Sequence, residues 1–180
     1  MNAMNTKGYG PIRQIAYIVE DLDAAIRHWM DFAGIGPWTV YKNASMRGHC
    51  RGADTTVKMN VGLSYQDEVQ IELIQVTSKT PSPYQDAGGR SLIGMHHIAW
   101  LSHDIDGDVA KAKQRGLVPA FEASNGVVRV AYMESAAEPG LLLEFIEAAP
   151  VVLESFASGS RAAREWDGSH DSIHVIDFEA

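Results

Sequence analysis

The sequence predicts an α+β fold: two βαβββ modules forming one curved mixed sheet, with helices outside and a helical extension at the C-terminus. Three observations predict it. First, "GMHHIAW", residues 94–100, lies over "PIRQIAYIV", residues 11–19. Ile98 then falls on Ile15, Ala99 on Ala16, Trp100 on Tyr17 and His97 on Gln14. Second, each copy opens the same series of periodicities, a strand, an amphipathic helix and three strands, a repeat of ~65 residues. Third, residues 148–180 fall outside the repeat and carry their own helical and strand patterns.

In the first module "RQIAYIV" is rich in β-branched and aromatic residues and reads as a strand. Asp21 or Asp23 caps the next helix; Leu22, Ile26, Trp29, Met30 and Ala33 give it one apolar face, and Gly34 ends it. Strands follow in "WTVYKN", "TVKMNVGLSY" and "VQIELIQV". In the second module "HHIAWLS" is a strand, and a helix starts near Asp104 or Asp106 and stops at Gly116. "VPAFEAS" and "VVRVAYMES" flank the hairpin signal Asn125-Gly126, and "LLLEFIEAA" closes the module. The expected organisation is a flexible N-terminus over 1–10 and one domain over 11–147. Its modules are 11–76 and 94–147, joined by a Pro- and Gly-bearing linker, 77–93. The extension, 148–180, holds a helix over roughly 151–165 and an edge strand "SIHVIDF", with Trp166 and Phe178 docking it on the body.

A net charge of −8 argues against nucleic acid, which needs a basic surface. No apolar run is long enough to span a bilayer, Cys50 has no disulfide partner, and no signal-peptide pattern opens the chain, so a cytoplasmic protein is expected.

Strand alternation sorts the side chains. Ile15, Tyr17 and Val19 face a helix; Gln14, Ala16 and Ile18 face a cleft. By the same count Gln70, Glu72 and Ile74, His97, Ala99 and Leu101, and Leu142, Glu144 and Ile146 face the cleft, and His96 points away. A lone strand histidine is more often a hydrogen-bonded core residue than a ligand, and a lone strand Glu more often marks a solvated face. Here four polar residues, Gln14, Glu72, His97 and Glu144, hold matching places on the first and last strand of each module. Two buried carboxylates are costly without a cation. Two carboxylates, one imidazole and one amide oxygen suit zinc, nickel, cobalt, manganese or ferrous iron.

With these residues in view, the chain resembles the vicinal oxygen chelate (VOC) superfamily, which includes glyoxalase I, methylmalonyl-CoA epimerase, extradiol dioxygenases and bleomycin-resistance proteins. The resemblance covers about residues 11–147 and rests on "RQIAYIVEDLDAAIRHW", "GIGPW", "VQIELIQ", "GMHHIAW" and "LLLEFIE". It implies a metal-binding cup with Gln14, Glu72, His97 and Glu144 as ligands. It further implies catalysis by Glu144 as base and Glu72 as its partner in reprotonation, and a substrate pocket formed by Ile18, Ile74, Leu101 and Leu142. Extradiol dioxygenases use two histidines and one carboxylate, and only His97 occupies a ligand position here. Three places that hold glutathione in glyoxalase I of the glutamine-first type are aliphatic in this chain: Ile18, Val76 and Ile93. The expected function is therefore a metal-dependent glyoxalase-like lyase, isomerase or epimerase, acting by proton transfer next to a carbonyl on a moderately apolar small molecule. It is not expected to depend on glutathione. The alternative is a sequestration protein of the bleomycin-resistance type, and a ring-cleaving dioxygenase ranks below both. A homodimer is expected, with the cup formed within one chain or between swapped modules. His170 and His174 are minor candidates to approach the cleft, and His49 with Cys50 a minor metal pair.

Overall fold

Asp21 starts the first helix by accepting a hydrogen bond from the Ala24 N–H at 2.9 Å, and Asp104 starts the second by accepting from Gly107 N–H at 3.0 Å. Between and around these caps the computed structural model describes residues 8–86 and 88–179. The first module is β1 (Gln14–Ile18), α1 (Leu22–His28, continued at π-helical pitch over Trp29–Ala33), β2 (Trp38–Cys50), β3 (Ala53–Gln66) and β4 (Val69–Val76). The second is β5 (Gly94–Ser102), α2 (Ile105–Gln114), β6 (Val118–Ser124), β7 (Arg129–Ser135) and β8 (Glu138–Glu147). The extension contributes α3 (Pro150–Glu165) and β9 (Ile173–Asp177). Of the expected flexible N-terminus, residues 1–7 lie outside the described residues. Tyr9 is packed, its ring edge-on to Phe145 with centroids 4.7 Å apart.

The order of elements is the expected one, but β2 and β3 run further. They form a long hairpin whose turn places Arg51 at φ 47 and Gly52 at φ 86. This extension has a consequence for the whole sheet. The first half of β2 pairs with β9, and its second half, Arg47–Cys50, pairs antiparallel with Phe121–Ser124 of β6. The strand order β3-β4-β1-β5-β8-β7-β6-β2 then returns to β3 through the β2–β3 hairpin. The expected curved mixed sheet is present, and the pairing of β2 with both β3 and β6 makes it a closed circuit of strands. Closure removes the free edges that an open sheet would present.

Gly48 makes the seam possible. A Cβ at this position would land on the Glu122 carbonyl oxygen and lie 2.6 Å from Ala123 Cα. Both obstacles are backbone, which cannot swing aside. Gly48→Ala is expected to part β2 from β6 and cost about 2–3 kcal/mol, read as a lower urea midpoint at unchanged m.

α1 buries Leu22, Ile26 and Met30 against Trp38 and Leu73, and α2 buries Ile105, Val109 and Ala112 against Met133 and Phe145. Ile15, Tyr17 and Val19 pack on the α1 side, as alternation requires. The inner face of the ring forms a third core containing Ile18, Ile74, Phe121, Tyr132 and Leu142. α3 inserts Val152 and Phe156 into this inner core, so the extension plugs the ring as well as leaning on it. The Trp166 ring lies on Gly36, where no Cβ would fit, whereas Phe178 is 60% exposed and stacks on Tyr41. Among the described residues no helix is long and apolar enough to cross a membrane.

Candidate functional site

Four adjacent strands carry the site: β4, β1, β5 and β8. β1 runs parallel to β4 and antiparallel to β5, and β5 runs parallel to β8. In register, Ala16 lies between Glu72 and His97, and Ala99 lies between Gln14 and Glu144. This is the local two-fold relation of the modules. Each alanine stands two residues beyond a polar group on the same face. Both are fully buried, and their single methyl groups leave room for the longer side chains to lean together.

The structure brings together all four residues singled out in the sequence, from a single chain. His97 Nε2 lies 2.9 Å from Glu144 Oε2, 3.1 Å from Gln14 Oε1 and 3.4 Å from Glu72 Oε2. Gln14, His97 and Glu144 are buried, and the Glu72 side chain, 15% exposed, is the one nearest solvent. Glu144 Oε2 accepts no hydrogen bond despite its distance from the imidazole. Ion-pair proximity and hydrogen-bond direction thus disagree, and the direction is the more discriminating test. The N–H line of Nε2 meets Gln14 Oε1, while Glu144 Oε2 approaches off that line.

Sequence alternation turned His96 away from the cup; the structure turns it in. The β1–β5 register shifts here, with His97 opposite Ala16 but Met95 opposite Tyr17. His96 is the extra residue of a β-bulge, which lets two successive side chains share one face. Its ring lies among Tyr84, Tyr132 and His97. His96 Nε2 is 2.8 Å from the Pro83 carbonyl oxygen, and its Nδ1 is 2.9 Å from His97 Nδ1. These contacts fix the protons. A carbonyl only accepts, so His96 Nε2 carries hydrogen and donates. Burial and then the charge on His97 push His96 down to about 3, so its Nδ1 is a bare acceptor near neutrality. His97 Nδ1 must therefore donate to it, which leaves His97 Nε2 as the nitrogen that faces the oxygens. Burial opposes charge on His97, but Glu144 and Glu72 outweigh it and raise the imidazole to about 9. Burial raises the Glu72 carboxyl.

The linker supplies part of this arrangement, a role that its Pro and Gly content did not signal. Thr55 Oγ1 donates to the Pro81 carbonyl at 2.7 Å, and the buried Tyr84 hydroxyl meets Tyr132 OH at 3.1 Å. The expected pocket residues Ile18, Ile74 and Leu142 are buried on the inner face, and Leu101 packs half-buried against them. Of the three aliphatic replacements, Ile18 lies inside the ring and Ile93 is 53% exposed. His170 pairs with Asp31 at 3.2 Å, His174 is exposed, and His49 pairs with Asp54 at 2.6 Å while Cys50 turns inward; none joins the site.

A family model described as Glyoxalase/Bleomycin resistance protein/Dioxygenase superfamily matches residues 13–150. The chain belongs to this superfamily. The solved structures like it include methylmalonyl-CoA epimerase from Mycobacterium tuberculosis, at 17% identity and TM-score 0.54, covering 85% of this chain and 97% of that one. A hypothetical protein from Bacillus halodurans C-125 is similar at 18% identity and TM-score 0.53, covering 76% of this chain and 93% of that one. No protein of curated function matches. These likenesses carry the VOC fold.

VOC members commonly use a divalent metal, and the donor set offers a test of fit. Oxygens of Glu144, Gln14 and Glu72 lie 2.9, 3.1 and 3.4 Å from His97 Nε2, a set of donor types that suits a divalent ion. Four lone-pair donors converge, one carboxylate oxygen is buried without a hydrogen bond, and only a cation or a proton can hold them together. Among the described residues no group of three or more His, Cys, Asp or Glu stands ready-made as a metal cage. The carboxylates here are drawn onto the imidazole, as they are when His97 itself carries the charge. The residues fit a divalent cation, with His97 giving up a proton as it takes one.

Proposed function

We propose that this VOC protein is a metal-dependent, glyoxalase-like lyase, isomerase or epimerase that moves a proton next to a carbonyl on a moderately apolar small molecule, without glutathione. The observation that carries this reading is the convergence of two carboxylates, an amide oxygen and an imidazole nitrogen on one buried point. Gln14, Glu72, His97 and Glu144 would hold the cation. When bound, it would lower the cost of negative charge building on a substrate carbonyl oxygen.

The chain's own groups then divide the work. His97 stays in place, held through His96 by the Pro83 carbonyl. Glu144 Oε2 has an unused lone pair and takes the proton from the carbon beside the carbonyl. Glu72 stands across the local two-fold and returns a proton to the opposite face. Because Glu72 is the member nearest solvent, the substrate reaches the centre from its side. Ile18, Ile74, Leu101 and Leu142 line this inner surface and exclude water from the exchanged proton. All four donors come from one chain.

Incubating the protein in deuterium oxide with α-substituted acyl thioesters, hydroxyketones and hemithioacetals tests the proposal. Proton NMR should show loss of the signal beside the carbonyl for one of these classes, and a chelator should stop it. Absence of exchange, with ligand-induced melting shifts that a chelator leaves untouched, would instead identify a sequestration protein.

A further inference from the structure

α3 begins where the family match ends, at Pro150, yet it is wired to the first of the four donors. The Tyr65 hydroxyl donates to the Ser155 carbonyl of α3 at 3.3 Å. Gln70 Nε2 donates to the Tyr65 oxygen at 2.5 Å, and Gln14 Nε2 donates to Gln70 Oε1 at 2.7 Å. Gln14 Oε1 is left facing His97 Nε2. All three side chains are buried.

The direction of this relay follows from its far end. The Ser155 carbonyl can only accept, so the single Tyr65 proton is committed to α3. The Tyr65 oxygen must then accept from the Gln70 amide nitrogen, which turns the Gln70 carbonyl toward Gln14. That carbonyl in turn fixes the Gln14 amide with its nitrogen outward and its oxygen at the centre. Without α3, Tyr65 could donate to Gln70, both amides could reverse, and Gln14 would offer a cation its NH2 group. An amide nitrogen has no available lone pair, so the reversal would remove a donor. Steric fit holds Tyr65 in place: Phe156 packs edge-on to its ring with centroids 5.7 Å apart, and a Cβ on Gly159 would strike the ring.

We propose that the C-terminal helix is a positioning element for the site, and that Tyr65 and Gln70 are positioning residues that make Gln14 present its oxygen. This rests on the reading of Gln14 as a metal donor. The test measures Co(II) affinity by competition with a chromophoric chelator, together with the visible spectrum of the Co(II) protein, for the full chain. Tyr65→Phe keeps the ring and loses the relay; it is expected to weaken affinity about 10-fold or more and alter the Co(II) bands. Gly159→Ala, which displaces Tyr65 from the helix side, should do the same. Gln14→Ala should give the same spectrum, and adding Tyr65→Phe to it should change neither affinity nor bands. Unchanged affinity in Tyr65→Phe, or losses that add in the double variant, would overturn the proposal while leaving the metal reading intact. A wild-type chain that takes up neither Co(II) nor any of zinc, nickel, manganese and ferrous iron would overturn both.

Discussion

Glu144→Gln is expected to lower catalysed proton exchange by ~10²- to 10⁴-fold while the protein still binds cation and substrate, so that kcat falls and KM moves little. The substitution is nearly isosteric. Its amide oxygen can still occupy the position of Oε1 or Oε2, but it cannot take a proton at neutral pH. Glu144 is also the group whose buried oxygen lacks a hydrogen bond, which makes it the member of the cluster with a lone pair to spare. Measuring exchange rates by NMR at saturating metal separates this effect from weaker metal binding. A Glu144→Gln protein exchanging at the wild-type rate would pass the role of base to Glu72.

His97→Ala is expected to cost the metal-free protein about 3 kcal/mol or more near neutrality, because it leaves buried carboxylates facing each other without a positive partner. The pH dependence identifies the cause. In the wild type, His97 is raised above its ordinary 6.5 to about 9. Its stabilisation is therefore full below about 6.5 and is lost as pH rises through about 9. In the variant the burial that raises Glu72 is no longer opposed by the imidazole, so Glu72 takes up a proton more readily in the folded state. The variant should therefore regain stability as pH falls toward the carboxylate range and lose it as pH rises. Melting temperatures of both proteins across pH, after treatment with chelator, check the sign. A His97→Ala protein that melts with the wild type at every pH would show that the cluster is not an ion cluster.

Much of this architecture could be read from residues alone, for identifiable reasons. A period of two along β1, β4, β5 and β8 is enough to place Gln14, Glu72, His97 and Glu144 on one face, because those strands are regular where three of them sit. Asp21 and Asp104 are local caps, and local hydrogen bonds leave local signatures. What escaped was set by contacts distant in sequence. The bulge at His96 depends on the register between β1 and β5, so neither strand announces it. Nothing local marks Gly48 as the place where a second backbone crosses and closes the ring. Alternation put Gln70 on the inner face, but its partner, Tyr65, takes its direction from the Ser155 carbonyl, ninety residues further on. Tyr84 lies in a stretch whose Pro and Gly content signals only a connection, yet it is buried against Tyr132.

The four converging donors are expected to hold a divalent cation. The most direct test is the metal content of the purified chain by inductively coupled plasma mass spectrometry, after exposure to zinc, nickel, cobalt, manganese and ferrous iron and removal of free ions. The expected result is about one ion per chain for at least one of these metals, abolished in His97→Ala. No bound ion with any of them, or an equal amount in His97→Ala, would contradict the account.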